Sequence, residues 1–406
     1  MTRVAMLVTS NLIHDNRVRK EAETLAAAGY RVTVFSHIGP DDVPRLGWDS
    51  RLGLVAIPVP PANWHGRRGL SRAVPHTLDL FRWGGSKALL RSAADCRADV
   101  YHAHDLDTLS SAAWLARRHH GRLVYDSHEL FLEMIAPEPE AASPGWPSRA
   151  KQALSRHNYA RLEHALIRRA DAVITVGPII AGELAQRYGI ARPAVVLNTP
   201  PHRDLSTGSD YLRERIGLGP AIRLVLLQGA VLPGRGQVEL VRSLTLLPDD
   251  VHLVFLGFNL GNFQAAIREE IERLELARRT HLLDALPPEQ LLNATASADV
   301  GVLLLAGHNL NDRYAMPNKL FEYLMAGLPF VVSDWPEVGR VARETGAGLP
   351  IPAFTPEAIA SGIQEVLATP ERYRAMHAAG LDAARREYNW ERQAEHLLEV
   401  YARVVP

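Results

Sequence analysis

Short, wholly apolar runs alternate along this chain with longer stretches in which apolar residues return every three or four positions. The first run, Val4–Val8, has the continuity of a strand buried on both faces. Arg17–Ala28 follows, with Val18, Ala22, Leu25 and Ala26 on one helical face, and Gly29 stops it. Tyr30–Ser36 reads as the next strand. The pattern predicts further strands at Leu52–Val59, Val100–His104, Leu123–Asp126, Ala172–Val176 and Ala194–Leu197, with helices at Thr108–Arg118 and Arg149–Arg169.

The rhythm breaks at Asn198–Pro220, where Pro200, Pro201, Ser206, Gly208, Gly217 and Pro220 suggest an interdomain linker holding at most a short helix. It then restarts. Strands are predicted at Arg223–Leu227, Val251–Leu256, His281–Leu283, Val300–Leu305 and Phe330–Val332. Helices are predicted at Gln237–Leu247, Gln264–Arg278, Pro288–Ala298, Lys319–Ala326 and Trp390–Val404. Alternation of this kind predicts an α/β fold with two doubly wound parallel sheets in tandem. Ligands of such sheets bind beyond the carboxyl ends of the strands, so two facing domains would line a cleft with those ends. Residues just after strands are therefore the candidates for chemistry.

Composition narrows the classes. Lys plus Arg and Asp plus Glu both total 45, so nothing favours a polyanion such as nucleic acid as partner. The single cysteine, Cys96, rules out an internal disulfide and a cysteine-rich metal site, and fits a reducing cytoplasm. The N-terminal apolar run is too short for a signal-peptide core, and no run approaches a membrane span. A basic, aromatic stretch within 64–83 (Trp64 to Arg72, then Leu80 to Trp83) has two readings. It is a solvated surface, or a face that rests on a membrane or a lipid-linked acceptor.

Two absences count against common nucleotide binders. The turn after the first strand, Thr9 to Arg17, holds no glycine, so the dinucleotide fingerprint is missing, and no P-loop occurs anywhere. At the end of the Val100 strand stand His102, His104, Asp105 and Asp107. Imidazole and carboxylate can share a cation, but the expectation is no metal, with Asp107 capping the helix that starts at Thr108. His128, with Asp126 and Glu129 beside it, ends the next strand and is the candidate for hydrogen-bond or proton duty.

In the second half, Gly229 follows a strand and Arg235 stands between Gly234 and Gly236 at a helix start, a setting suited to an anion. The segment Met316-Pro317-Asn318-Lys319-Leu320-Phe321-Glu322 is more specific. Pro317 opens a helix, Asn318 and Lys319 offer donors at its N-terminus, and Glu322 lies one turn on, placed to accept from two ribose hydroxyls.

In order and spacing these segments resemble the family 4 glycosyltransferases of the GT-B fold over nearly the whole chain. The likeness rests on Asp15-Asn16-Arg17-Val18 with Glu21, on His102 to Asp107, on Tyr125 to Leu130, on Ala170 to Val176, on Gly229 with Gly234-Arg235-Gly236, and on Pro317 to Tyr323 with Ala326 to Pro329. It implies two Rossmann-like domains: an acceptor-binding one at 1–200, joined by the C-terminal helix of about 390–406, and a donor-binding one at 201–389. It implies a nucleotide-diphosphate sugar as donor, of UDP or GDP type, retention at the anomeric carbon, and no cofactor or obligatory metal. The acceptor would be a saccharide, a lipid-linked or a small molecule, and the place of action the cytoplasm or the inner membrane face. Carried over by position, Glu322 holds the ribose, Arg235, Lys319 and Asn318 serve the diphosphate with Gly229, Met316 and Pro317 around them, and His128 meets the transferred sugar. Asp15, Arg17, His104 and Asp105 face the acceptor. Two departures stand out: Tyr314 replaces a glutamate eight residues before Glu322, and Ala230 replaces a common arginine. A nucleotide-sugar epimerase of the same fold, or a silent binding protein, are the alternatives.

Overall fold

The computed structural model describes residues 1–10, 12, 15–38, 43, 47–49, 51–57, 84–134, 146–205 and 209–405. The basic stretch at 64–83 therefore lies outside the described residues. The chain forms two compact units. The first comprises Met1–Val196 with Ala394–Pro406, and the second Leu197–Gln393.

The first unit holds seven parallel strands: β1 (Arg3–Val8), β2 (Arg31–His37), β3 (Gly53–Ile57), β4 (Val100–His104), β5 (Arg122–Ser127), β6 (Ala172–Thr175) and β7 (Ala194–Val195). Their spatial order is β3-β2-β1-β4-β5-β6-β7. Val4–Val8 of β1 and all of β4 are buried, which is why Val4–Val8 reads as an unbroken apolar run rather than as alternation. The order reverses between β1 and β4, where Met6 pairs with His102, and the crevice beyond that switch point is where such sheets take ligands.

The second unit repeats the plan with β8 (Arg223–Gln228), β9 (Val251–Leu256), β10 (Thr280–Leu283), β11 (Val300–Leu303), β12 (Phe330–Ser333) and β13 (Gly348–Ile351), in the order β10-β9-β8-β11-β12-β13. Its switch point lies between β8 and β11. The helix Asn318–Met325 is seated there by Tyr323, whose hydroxyl donates to the carbonyls of Leu226 (3.3 Å) and Val302 (3.1 Å). Gly301 on β11 leaves room for that ring, since a Cβ there would stand 2.8 Å from it.

The structure adds elements that apolar periodicity missed. β13 is a short edge strand containing Pro350, an edge position being the one a proline tolerates. The helices Pro178–Tyr188, Pro336–Thr345, Pro356–Val366 and Pro370–Arg386 all start on proline, whose missing N–H is no loss at that position. The stretch expected as linker is in large part built into the second unit. Leu197 N donates to Gln393 Oε1 (2.9 Å), Trp390 N donates to the Pro200 carbonyl (2.9 Å), and Leu212 N in the short helix Tyr211–Ile216 donates to Ser297 Oγ (3.1 Å). No helix among the described residues is long and apolar enough to cross a membrane.

Candidate active site

In the first unit the functional candidates gather beyond β1, β4 and β5. Asp15 caps the helix Asn16–Ala27 by accepting from Val18 N (3.3 Å), and also accepts from the Ser10 hydroxyl (2.5 Å). Burial opposes its charge, but the nearby charge of His128 and the bonds from Ser10 and Val18 together outweigh that and hold its carboxyl below the usual range. One turn into the helix, Arg17 points inward and is 2% exposed. Its guanidinium donates to both oxygens of Asp126 (2.9 Å each) and to the Val196 carbonyl (2.7 Å), and lies 3.0 Å from Glu21. In these contacts Arg17 is the buried counter-ion of Asp126 on β5.

His104 is also buried, 1% exposed, so it too sits behind the surface rather than on it. Its ring stacks on His102 at 4.2 Å and its Nδ1 lies 3.3 Å from His128 Nε2. His102 in turn meets the Tyr401 hydroxyl (2.8 Å), so the C-terminal helix Trp390–Val404 supports the base of the cluster. Burial pushes both histidines, His102 most, below their usual pKa, leaving them neutral. Asp107 does not cap the helix as expected. The helix begins at Leu106, Asp105 holds the cap position, and Asp107 accepts from the Thr9 hydroxyl while burial raises its pKa to about 6.

Glu21, His102, His104 and Asp126 bring ligand-type atoms within 4.8 Å of one another, all buried. The guanidinium of Arg17 already lies between the two carboxylates, so these groups are not read as metal ligands. Burial pushes Glu21 up to about 8, whereas on Asp126 burial is outweighed by Arg17 and His128, which hold it well below the usual range. Glu21 is therefore a neutral acid near pH 7 and Asp126 a carboxylate.

The second unit gathers Gly229, Arg235, Lys319 and Glu322. Gly229, at φ 98°, ends β8, and a Cβ there would stand 3.5 Å from Lys319 Nζ. Arg235 lies between Gly234 (φ 74°) and Gly236 (φ 68°) and faces Asp312 at 3.5 Å. Pro317 occupies the cap position of the helix Asn318–Met325, Asn318 is exposed at its first residue, and Met316 is buried behind it. Burial and the charge of Arg235 lower Lys319 to about 8, so it remains mostly cationic at neutral pH. Glu322 accepts from the Gln228 amide, whose oxygen accepts from the Thr295 hydroxyl (2.9 Å). Gln228 and Thr295, both buried, thus orient the ribose candidate. Sequence reasoning missed them because they come from β8 and from the helix Pro288–Thr295, far from residue 322.

Two doubly wound sheets, of order 3-2-1-4-5-6-7 and 3-2-1-4-5-6, each with polar groups at its switch point, define the GT-B architecture. Solved structures share it. Sucrose-phosphate synthase from Thermosynechococcus elongatus matches with a TM-score of 0.76 at 18% identity, over 100% of this chain and 99% of that one. Anabaena HepE in complex with UDP-glucose matches with a TM-score of 0.73 at 14% identity, over 99% and 100%. Residues 15–200 match the glycosyl transferase 4-like domain and residues 213–382 the glycosyl transferases group 1 model. Curated relatives include the D-inositol 3-phosphate glycosyltransferases of Segniliparus rotundus (25% identical, 95% of this chain, 83% of that protein) and Xylanimonas cellulosilytica (27%, 94% and 89%). The chain belongs to the family 4 glycosyltransferases of the GT-B fold and is a glycosyltransferase.

Proposed function

We propose that the second unit binds a nucleotide-diphosphate sugar, of UDP type first and GDP type second, and that transfer proceeds with retention to an acceptor held by the first unit. The observation that carries this reading is the convergence on one switch point of Lys319, Arg235 and a Glu322 already oriented by Gln228. Glu322 accepts from the ribose hydroxyls, and Arg235 and Lys319 stabilise the departing diphosphate, usually the dominant catalytic contribution. The anomeric C–O bond to the diphosphate breaks, the acceptor oxygen bonds to the anomeric carbon, and its proton passes to the leaving phosphate oxygen. Asn318, Met316, Pro317 and Gly229 complete the donor site, while His128, with Asp15 and Asp105 beside it, serves the sugar and acceptor.

The printed activity of the curated relatives makes a phosphorylated polyol one acceptor to try, alongside saccharides and lipid-linked molecules. The working place proposed is the cytoplasm, with the stretch 64–83 meeting a membrane or lipid-linked acceptor. The test is nucleotide release from a panel of nucleotide sugars, with and without acceptors and with a chelator present. Turnover surviving Arg235→Ala and Glu322→Ala would overturn the donor site, and epimerised donor in the absence of acceptor would favour the epimerase reading.

A further inference from the structure

Three non-glycine residues among those described have positive φ: Asp105, His120 and Glu275. His120 (φ 57°, ψ 32°) ends a helix in the ordinary left-handed region, but Asp105 stands at φ 63°, ψ 169°, a region left almost entirely to glycine. Such a conformation is unfavourable and persists only where neighbours enforce it. Here the enforcing bonds are identifiable. Asp105 N donates to the Asp126 carbonyl (2.9 Å), and its side chain accepts from His128 N (2.9 Å) while facing His128 Nδ1 at 3.1 Å. The unfavourable backbone turns the Asp105 carboxylate onto the imidazole.

The opposite edge of the same ring is also matched to a carboxylate, Asp126 Oδ2, at 3.1 Å from Nε2. A neutral imidazole carries one N–H and one lone pair. Either tautomer would aim its lone pair at a carboxylate oxygen, and only the imidazolium satisfies both edges. His104 Nδ1 lies 3.3 Å from the same Nε2 and 3.6 Å from Asp126 Oδ2. The remaining charged or titratable neighbours are Asp15, Asp107, Arg17, Glu21 and His102. Arg17 balances Asp126, and Asp105 balances His128.

Of the groups in this clamp, Asp126 is sealed at 0% side-chain exposure, whereas Asp105 (30%) and His128 (15%) reach solvent. We infer that Asp105 and Asp126 hold His128 as a standing imidazolium, its Nδ1–H given to Asp105 and its Nε2–H to Asp126. His128 then enters transfer as a fixed positive charge rather than as a base, with Arg17 and Asp126 as positioning residues. That role in transfer rests on the proposed function; the charge state of His128 does not.

The test is two-dimensional NMR of protein labelled with ¹⁵N in histidine, with the His128 signals assigned by their loss in His128→Gln. Both ring nitrogens are expected to stay protonated at pH 7.5, above the usual imidazole value of about 6.5. A neutral His128 at pH 7.5 would overturn the inference. Asparagine tolerates unusual backbone, so Asp105→Asn is the companion variant. It is expected to let His128 titrate near neutrality and to make kcat/KM fall as pH rises, by roughly 30-fold at about pH 8 if the ring returns to about 6.5. UDP affinity, read separately, is expected to be unchanged. An Asp105→Asn enzyme with a flat pH profile and an untitrated His128 overturns the proposal. So does stoichiometric metal that co-purifies with the protein and is lost in Glu21→Gln, because the same atoms would then be coordinating. Absence of turnover with any sugar, with His128 still doubly protonated, would instead count against the transferase reading alone.

Discussion

Replacing Arg17 by methionine separates a structural from a ligand-binding role for this residue. Methionine fills much of the same volume but removes the guanidinium. Asp126 loses two charge-assisted bonds of 2.9 Å, and the Val196 carbonyl loses one of 2.7 Å. Removing one partner of a buried pair costs about 3–5 kcal/mol, because the remaining charge stays buried without compensation. His128 still faces Asp126, which keeps the figure at the lower end, whereas the orphaned carbonyl adds about 1–3 kcal/mol. A loss of about 4–6 kcal/mol in the first unit is thus expected, a large share of the roughly 5–15 kcal/mol typical of a domain. Because a two-unit chain need not unfold in one step, hydrogen exchange is the suitable assay. Protection of amides in β4 and β5 should fall by roughly three to four orders of magnitude, at about 1.4 kcal/mol per decade, with β8 to β12 unchanged. If protection changes by less than about one decade while acceptor KM rises sharply, Arg17 is a ligand residue after all and the buried-pair reasoning fails.

The second prediction concerns Glu322→Ala, which removes charge-assisted bonds worth about 1.5–3 kcal/mol each and should weaken UDP binding by at least tenfold in calorimetry, with the fold intact. Thr295→Val leaves Gln228 free to turn its amide and should raise donor KM by a smaller factor while leaving kcat nearly unchanged; an unchanged KM would remove Thr295 from the donor site. Gly236→Ala would set a Cβ 2.6 Å from the Leu304 side chain at φ 68°, so thermal stability should drop by about 1–3 kcal/mol, whereas Gly189→Ala, with open space at φ 62°, should cost about 1 kcal/mol. The fifth follows from Glu21, which burial raises from the ordinary 4.5 to about 8. Between those values the folded chain keeps a proton that the unfolded chain has released, so this group weakens the fold as pH rises through the window. Glu21→Gln should flatten the thermal midpoint between about pH 5 and 8, and an unaltered slope would show that Glu21 is ionised in the native state.

The sequence by itself determined the secondary structure near the switch points. Parallel strands buried on both faces must be continuously apolar, so Val100–His104, Val251–Leu256 and the helix Trp390–Val404 were legible to the residue. Helix chemistry is local too, which is why Pro317, Lys319 and Glu322 could be placed on one helix from their spacing. The proline-started helices carried a readable signal in Thr355-Pro356 and Thr369-Pro370, but their apolar faces were less distinctive. Other features belonged to the tertiary structure alone. Arg17 and Glu21 look like any surface pair one turn apart until β5 brings Asp126, 109 residues away, against them. That meeting turns Arg17 inward, neutralises Glu21 and leaves Asp126 charged. The conformation of Asp105 and the orientation of Glu322 by Gln228 likewise depend on partners from other strands. Periodicity reports which face of an element is buried; a charge state is set by what lies opposite that face, and only the folded chain supplies it.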